Sequence, residues 1–268
     1  MNSTPLQPSY PAPSRLLTAM EGRVVGEFMS MIAARPLLDR LPRGDGHPVL
    51  VMPGFTAGDR STQPLRALLD RLGYQTYEWG LGLNMGPTPR IVQGIVELID
   101  RISEAEHEPV TIIGWSLGGI YARELARRDP AAVKQVITLG SPIQMIPTDR
   151  SASTPKWEAV HHLHDPSVER GARDVDRPPL QVPDSSVYTR MDGVVNWKTC
   201  LVERGPTSEN IEVHGSHCGL GFNPSVAFVV ADRLAQPMGT WDPFRAPLVL
   251  RGLFPKPANL AGRTSRAA

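Results

Sequence analysis

The sequence has few cysteines and no excess of either charge. Its two cysteines, Cys200 and Cys218, are too few for the disulfide framework of a small secreted domain, although one bridge or two reduced thiols both fit the count. Lysines and arginines number 28 against 27 aspartates and glutamates, so no net charge favours nucleic acid or an anionic membrane as a partner. We therefore expect the partner to be a small, roughly neutral molecule.

Membrane-spanning and targeting patterns are also missing. No run of about 18 apolar residues is present to span a bilayer. The first residues do not show a basic segment followed by an apolar stretch and a small-residue cleavage site. We expect a cytoplasmic protein without an integral membrane segment, and the sequence carries no signal for its oligomeric state.

The length and the distribution of proline predict the domain organisation. A chain of 268 residues fits one α/β domain with a substantial core. The 27 prolines concentrate near both ends and between Pro142 and Pro183, which predicts loops, a cap or tails there. We predict an N-terminal helical extension at 1–45, a domain at 46–240 with a cap insertion at about 143–184, and a C-terminal tail at 241–268.

A helix is predicted before any strand. Between Ser14 and about Leu38, apolar residues recur at steps of three and four, as on one face of a helix. These residues are Leu17, Met20, Val24, Phe28 and Ile32. We favour packing of this helix against the domain over a membrane-surface role, because basic residues are not concentrated on its polar face.

Downstream, short apolar runs alternate with helical patterns. Strands are predicted at 49–52, 75–79, 110–115, 133–139, 186–191 and 211–214. Helices are predicted at 63–72, 90–106, 118–128 and 224–234. This alternation predicts an α/β fold with a mostly parallel sheet and helices on both of its faces.

Residues 114–118 read Gly-Trp-Ser-Leu-Gly and match the pattern G-x-S-x-G. They lie between a predicted strand and a predicted helix, which is the context of a nucleophile elbow. There the serine occupies a strained turn that projects its hydroxyl above the sheet, and the flanking glycines leave room for the turn. Ser116 is therefore the candidate nucleophile. The alternative is an ordinary glycine-rich turn, which does not account for the partners found downstream.

A serine nucleophile needs a base, and the base needs a carboxylate to orient it. Sites in open parallel sheets form at the carboxyl ends of strands. Asp192 follows the predicted strand at 186–191, and Gly193 allows a tight turn that exposes its carboxylate, although a plain turn-forming Asp-Gly pair fits as well. The competing aspartates all lie in the irregular segment before that strand: Asp149, Asp165, Asp174, Asp176 and Asp184.

Two histidines compete for the role of the base. His47 and His107 precede strands and are set aside. His217 lies past the last predicted strand, after the turn at Gly215, whereas His214 falls within the strand pattern. We therefore favour His217, with His214 as a polar residue beside the site. The chain order is then serine, acid, histidine.

The tetrahedral intermediate of acyl transfer needs donors for its oxyanion, usually the amide after the nucleophile and one from a loop after an earlier strand. Leu117 supplies the first. The loop at 53–58 follows the first predicted strand, and Phe55 is our candidate for the second, with Thr56 as an alternative. A simple turn of the chain at Pro53 would also fit.

These motifs resemble the α/β-hydrolase superfamily, in particular its bacterial esterase and lipase-like members, from about Val49 to Leu234. The matching pieces are Pro53-Gly54-Phe55, the elbow at 114–119, Asp192-Gly193-Val194-Val195 and Ser216-His217-Cys218-Gly219-Leu220. Pro53 stands where such members often carry histidine. Two strands that often open the fold have no counterpart before Val49, so we expect a sheet of about six strands.

The resemblance implies hydrolysis of a small-molecule ester through an acyl-enzyme intermediate, without a metal or organic cofactor. Ser116 would attack, His217 would carry the proton, Asp192 would orient His217, and the amides of Phe55 and Leu117 would hold the oxyanion. Serine at the elbow argues against dehalogenase and epoxide hydrolase chemistry, which uses aspartate. Thioesterase, amidase, acyltransferase, interfacial lipase and non-catalytic ligand binding remain alternatives.

Other residues are candidates for the substrate pocket. Trp115 adjoins the nucleophile, and Met145 and Ile146 offer an apolar surface at the start of the predicted cap, where simple packing fits equally. The loop at 80–87 is either pocket lining or an ordinary loop. Three histidines of the cap fit a solvated face better than a metal site, because adjacent histidines on a helix point in different directions: His161, His162 and His164.

Overall fold

The computed structural model describes residues 9–168 and 172–260. Parts of three predicted regions lie outside the described residues. These are residues 1–8 of the N-terminal extension, 169–171 of the cap and 261–268 of the tail.

Six strands form a single parallel sheet in the described part of the chain. The strands are β1 (Pro48–Met52), β2 (Gln75–Tyr77), β3 (Val110–Trp115), β4 (Val133–Leu139), β5 (Asp184–Tyr188) and β6 (Ser208–Glu212). Their order is β2-β1-β3-β4-β5-β6, and every neighbouring pair is parallel. Crossover connections of parallel strands place their carboxyl ends at one edge, where a site can form.

Helices connect the strands and cover both faces of the sheet. They are α1 (Arg15–Ala19), α2 (Val24–Leu38), α3 (Asp59–Leu72), α4 (Pro89–Glu106), α5 (Leu117–Arg128), α6 (Thr154–Val160) and α7 (Pro224–Leu234). None of them, within residues 9–168 and 172–260, has the length and apolar character needed to cross a membrane.

Strand β1 shows how the two faces are filled. Val49 and Val51 belong to an apolar cluster with residues of α3 and α7. Leu50 and Met52 belong to a second cluster with residues of α4 and α5. The alternation follows from the pleat, which points successive side chains to opposite faces. The predicted fold class, a mostly parallel sheet of about six strands with helices on both faces, is confirmed.

The predicted bounds are wrong at the two late strands. Strand β5 begins at Asp184, and β6 begins at Ser208, so both start and end earlier than the apolar pattern indicated. The first residues of these strands include charged side chains that are buried with partners, as in the ion pair of Glu209 with Arg233 at 2.9 Å. A buried ion pair between distant segments leaves no apolar run in the sequence, and this is why the strand starts were missed.

The N-terminal segment is less regular than one continuous helix. Helices α1 and α2 flank a 3₁₀ turn at Met20–Arg23, and the Ser14 hydroxyl caps α1 by accepting from the Leu17 amide at 3.3 Å. Helix α2 packs against α7, and the rings of Phe28 and Phe222 meet edge to face at 5.6 Å. The segment therefore packs against the domain through α2.

The long connection between β4 and β5 contains α6 and short 3₁₀ turns. It is tied to α5 through Arg123, which pairs with Asp174 at 2.7 Å and also with Asp184 at the start of β5. This connection coincides with the predicted cap insertion at 143–184, whose role as a cap stays a prediction.

Candidate active site

Ser116 occupies the sharp turn between β3 and α5. Its backbone has φ 52° and ψ −118°, a conformation that costs a non-glycine residue free energy and is typical of functional turns. The neighbouring glycines make the turn possible. A Cβ at Gly114 would lie 2.2 Å from Gly119 Cα, and a Cβ at Gly118 would lie 2.5 Å from the Met52 carbonyl oxygen. The close approach of backbone to backbone thus explains both glycines of the motif.

The amide of Leu117 is available for an oxyanion. Leu117 is the first residue of α5, and the first amides of a helix have no intrahelical acceptor. The Ser116 amide itself is engaged, because it donates to the Leu139 carbonyl at 2.8 Å. Of these two amides, that of Leu117 is the one without a hydrogen-bond partner among residues 9–168 and 172–260.

The loop after β1 carries the other two candidate amides, those of Phe55 and Thr56. Thr56 has φ 62°, and its amide donates to the Asn84 carbonyl at 2.7 Å. The Phe55 amide has no hydrogen-bond partner among residues 9–168 and 172–260. Of the two candidates, Phe55 is therefore the one whose amide is free. A Cβ at Gly54 would lie 3.1 Å from Ser116 Cβ, so this loop lies directly against the nucleophile.

Asn84 braces the Phe55 loop, a role that the sequence did not indicate. It is completely buried. Its side-chain amide donates to the Pro53 carbonyl at 2.9 Å, and its backbone amide donates to the Ala57 carbonyl at 2.8 Å. With the bond from Thr56, three hydrogen bonds join Asn84 to this loop. The only sequence signal was the unassigned glycine-rich loop at 80–87, which supplies this brace instead of lining the cavity.

Asp192 and His217 are paired. The Nδ1 atom of His217 lies 2.6 Å from Asp192 Oδ2, and the other carboxylate oxygen accepts the amides of Val194 at 2.8 Å and Val195 at 2.7 Å. Asp192 is separated from β5 by a turn in which its amide donates to the Thr189 carbonyl at 3.3 Å. It therefore does not directly follow the strand as predicted, yet it is the aspartate that contacts the histidine.

His214 occupies a different environment. It is exposed, whereas His217 is only 5% exposed and Asp192 only 2%. Strand β6 ends at Glu212, so both histidines lie beyond it, and the strand pattern that separated them in the sequence does not exist. The two histidines differ in that His217 contacts Asp192.

The pKa of His217 reflects opposing effects. Burial is the largest, and it lowers the pKa because it disfavours the imidazolium. The negative charge of Asp192, the hydrogen bond that Asp192 accepts, and the charge of Glu21 all raise it. The net result is a pKa above the ordinary value of 6.5. The surroundings thus stabilise the protonated ring, as a base that takes up a proton requires.

Ser116 and His217 line one cavity of about 490 Å³. Its apolar lining includes Phe55, Ala57, Trp115, Val194 and Phe222, and its polar lining includes Thr18, Glu21 and Lys156. No hydrogen bond joins the Ser116 hydroxyl to the His217 ring in the described ranges; such bonds are often long before substrate binds. The volume lies within the range of small-molecule sites, about 300–1,000 Å³.

Only one of the three predicted pocket residues lines the cavity. Trp115 lines the cavity, and its indole N–H donates to the His217 carbonyl at 3.1 Å. Met145 and Ile146 are not part of the cavity lining, which corrects that prediction. Their loop is folded onto Asp149, whose carboxylate accepts the Ile146 amide at 2.9 Å. Apolar character alone could not distinguish this turn from a binding surface.

Of the two cysteines, Cys218 lines the same cavity as Ser116 and His217, whereas Cys200 does not. Both cysteines are free, with Cys200 buried and Cys218 exposed. Burial and the charge of Glu21 raise the pKa of Cys218 to about 12. In the connection between β4 and β5, His164 Nε2 lies 3.0 Å from the Met85 carbonyl, and the His164 ring contacts the Trp157 ring. These contacts give His164 a packing role.

Comparison with known proteins gives a likeness of structure alone. No family model matches the sequence, and no curated protein matches it. The similar solved structures include Aspergillus fumigatus lipase B, with TM-score 0.54, 15% identity, and coverage of 74% of this chain and 55% of that one. They also include the esterase EaEST from Exiguobacterium antarcticum, with TM-score 0.53, 13% identity, and coverage of 72% of this chain and 93% of that one. A third is the Paleococcus ferrophilus monoacylglycerol lipase, with TM-score 0.50, 15% identity, and coverage of 72% of this chain and 96% of that one. The chain thus spans little more than half of the Aspergillus protein.

Proposed function

From the α/β-hydrolase fold that this chain has, we propose that it is a serine hydrolase that cleaves carboxylic esters through an acyl-enzyme intermediate. One observation carries the proposal. His217, which is paired with the buried Asp192, lines the same cavity as the strained Ser116 and Phe55. Fold alone does not define function, so the argument rests on this site.

The first half of the reaction is acylation. The Ser116 hydroxyl attacks the ester carbonyl carbon while His217 Nε2 takes the hydroxyl proton. Asp192 holds Nδ1 protonated and stabilises the imidazolium, and the Phe55 and Leu117 amides donate to the oxyanion. The intermediate collapses, the carbon–oxygen bond to the leaving alcohol breaks, and His217 returns the proton to that alcohol.

The second half is deacylation. Water enters, His217 takes its proton, and the resulting hydroxide attacks the acyl carbon bound to Ser116. A second oxyanion forms in the same place and collapses. The carboxylic acid leaves, and the Ser116 hydroxyl recovers its proton from His217. Every step uses side chains and amides of this chain.

Esters are the first substrates to test, because the three similar structures are named as an esterase and two lipases. Thioesters, amides and acyl transfer use the same groups and are the alternative. We further propose that the segment at 143–184 is a cap over the acyl site. Its residues Ala152, Ser153 and Lys156 line the cavity, and the Trp157 ring lies 5.1 Å from the Phe55 ring.

The test is hydrolysis of p-nitrophenyl esters from acetyl to palmitoyl, together with labelling by a phosphonate serine probe. We expect activity and labelling in the native protein and the loss of both in Ser116→Ala. A folded native protein that neither hydrolyses an ester nor reacts with the probe would overturn the proposal and favour a ligand-binding role. Labelling without ester hydrolysis would point to an amide, a thioester or acyl transfer.

A further inference from the structure

The 3₁₀ turn between α1 and α2 lies against both loops that carry the Asp192–His217 pair. The Glu21 carboxylate accepts three backbone amides from these loops. Its Oε1 accepts from Gly193 at 2.7 Å and from His217 at 3.0 Å, and its Oε2 accepts from Cys218 at 2.8 Å. One side chain thus connects the loop after β5 with the loop after β6.

These three amides depend on Glu21. None of them has another hydrogen-bond partner in the described ranges. An unpartnered amide in a half-buried site costs free energy comparable to a lost hydrogen bond. Glu21 also forms no ion pair among residues 9–168 and 172–260, so its charge is held by the amides. The contact is therefore a connection between loops and not one side of a salt bridge.

Neighbouring residues of the N-terminal segment strengthen the same connection. The Thr18 hydroxyl donates to the Gly193 carbonyl at 2.8 Å. The Arg23 guanidinium donates to the carbonyls of Met191 at 3.1 Å and Gly215 at 3.3 Å. Arg23 therefore also bridges the two loops, through carbonyls where Glu21 uses amides.

The fit leaves no room for a side chain at Gly193, where the neighbouring atoms belong to the backbone, and at Gly219 a side chain would displace the Glu27 carboxylate. A Cβ at Gly193 would lie 2.3 Å from the Leu17 carbonyl oxygen, and a Cβ at Gly219 would lie 1.1 Å from Glu27 Oε2. Glu27 in turn accepts from the Ser216 amide at 2.7 Å and the Ser216 hydroxyl at 2.8 Å. Both loops therefore fit closely against the N-terminal segment at these residues.

Resting on the serine-hydrolase function above, we propose that Glu21 is a positioning residue, which holds the loops of Asp192 and His217 in the register that proton transfer requires. Glu21 does not touch the reacting atoms. It acts through the backbone of His217 and through the loop of Asp192. Misplacement of a catalytic group by about 1 Å can cost about 100-fold in rate, so such a bridge affects turnover.

The charge of Glu21 has a second effect. Burial is the largest effect on the pKa of His217 and lowers it, whereas the charges of Asp192 and Glu21 both raise it. The titratable and charged groups that lie around His217 and its loop are Asp192, Glu21, Glu27, Arg23, Cys218 and Lys156. Neutralising Glu21 should therefore favour the neutral ring, and this predicts a change that a purely structural contact would not cause.

The experiment compares Glu21→Ala and Glu21→Gln with Glu104→Gln, the same charge change on an exposed residue of α4. We expect Glu21→Ala to lower kcat about 100-fold with little change in KM. We expect Glu21→Gln, which keeps one acceptor oxygen, to lose less and to move the acidic limb of kcat/KM to lower pH. Glu104→Gln should match the native protein. Folding is checked by circular dichroism and thermal unfolding.

Folded Glu21 variants with native kcat and an unmoved acidic limb would overturn the proposal. If Glu21→Ala does not fold, the position of the acidic limb of kcat/KM in Glu21→Gln tests the proposal instead. A second readout does not need turnover: the low-field proton resonance of the His217–Asp192 hydrogen bond, assigned by its absence in His217→Ala. Its loss or broadening in the Glu21 variants supports the proposal, and its persistence unchanged refutes it. This holds even if the native protein hydrolyses no ester, which would refute the proposed function separately.

Discussion

The side-chain amide of Asn84 donates a hydrogen bond to the Pro53 carbonyl across 2.9 Å, in a completely buried position. This contact joins the loop after β2 to the loop that carries the proposed oxyanion donor. The free Phe55 amide thus has a fixed direction, although Phe55 itself lies in no helix or strand. Preorganised donors of this kind stabilise the developing charge without reorganising during the reaction.

Asn84→Ala should lower kcat about 100-fold, because the Phe55 amide loses the brace that aims it. Stability should fall as well, by about 1–3 kcal/mol, since the Pro53 carbonyl loses a buried donor. Steady-state kinetics and urea unfolding measure the two effects. Gln93→Ala, which removes a side-chain amide from an exposed position of α4, is the control and should change neither. Native kcat in Asn84→Ala would show that the loop does not need the brace.

Gly118→Ala should destabilise the protein by about 1–3 kcal/mol or more, because the added Cβ would meet the Met52 carbonyl oxygen at 2.5 Å, and backbone cannot easily yield. Gly26→Ala is the matched control. That glycine lies in α2 with open space around its Cβ position, so alanine should stabilise the helix by about 0.5–1 kcal/mol. Thermal unfolding compares them. Equal melting temperatures would contradict the described packing of the elbow.

The activity should depend on the protonation of His217. Only the neutral ring accepts the Ser116 proton, so kcat/KM should fall as the pH drops through the pKa of His217. Because burial lowers that pKa less than Asp192 and Glu21 together raise it, the midpoint of the acidic limb should lie above 6.5. A pH profile followed by pH-stat titration of acid release measures this midpoint. A midpoint below 6.5 would contradict the charge arrangement.

Asp192→Asn should move that midpoint to lower pH and reduce kcat by about 10⁴-fold, since the ring loses both its negative neighbour and the acceptor that sets its tautomer. His214→Gln is the control, because His214 is exposed and does not contact Asp192. Its profile should overlay that of the native protein. A larger loss of kcat in His214→Gln than in Asp192→Asn would indicate that His214, and not His217, is the base.

Arg123→Ala should cost about 3–5 kcal/mol of unfolding free energy. Arg123 pairs with Asp174 and with the buried Asp184, and its removal leaves a buried carboxylate without a cation. Arg150→Ala breaks an exposed pair with Glu158 and should cost less than about 1 kcal/mol. Urea titration separates the two cases. Similar losses would mean that the connection between β4 and β5 is not held through Arg123.

Both thiols should react slowly with iodoacetamide at about pH 8, for different reasons. Cys218 is exposed, but its pKa of about 12 leaves little thiolate, which is the reactive form. Cys200 is fully buried and should react only after unfolding. Mass spectrometry before and after denaturation counts the labels. A protein that takes up no label when unfolded without reductant would contain a bridge, contrary to the free cysteines of the structure.

The sequence predicted the parts of the fold that apolar periodicity marks. The central strands and the helices at Pro89–Glu106 and Pro224–Leu234 follow from runs and spacings that are local. The sharp turn at Ser116 could be predicted because its motif is local too. The pairing of Asp192 with His217 was predicted from strand ends, although both strands end earlier than expected. Asp192 and His217 nevertheless meet, because the loops after these strands bring them together.

The remainder could not be predicted because it consists of polar contacts between distant segments. Glu21 resembles any surface glutamate in a helical stretch, and Asn84 resembles any loop asparagine. Each acquires its role only when the fold brings it to a partner loop. Met145 and Ile146 fail for the reverse reason, since their apolar character is real but their turn folds away from the cavity.

The contact of α1 and the following turn with residues near 190 and 217 also bears on how fast the protein folds. Synthesis runs from the amino end, so the N-terminal segment leaves the ribosome long before the loops that it binds. Its contacts join residues that are 175 and 196 positions apart in the sequence, and contacts of such long separation form slowly. We therefore expect the contacts that hold the loops of Asp192 and His217 against the N-terminal segment to form late in folding.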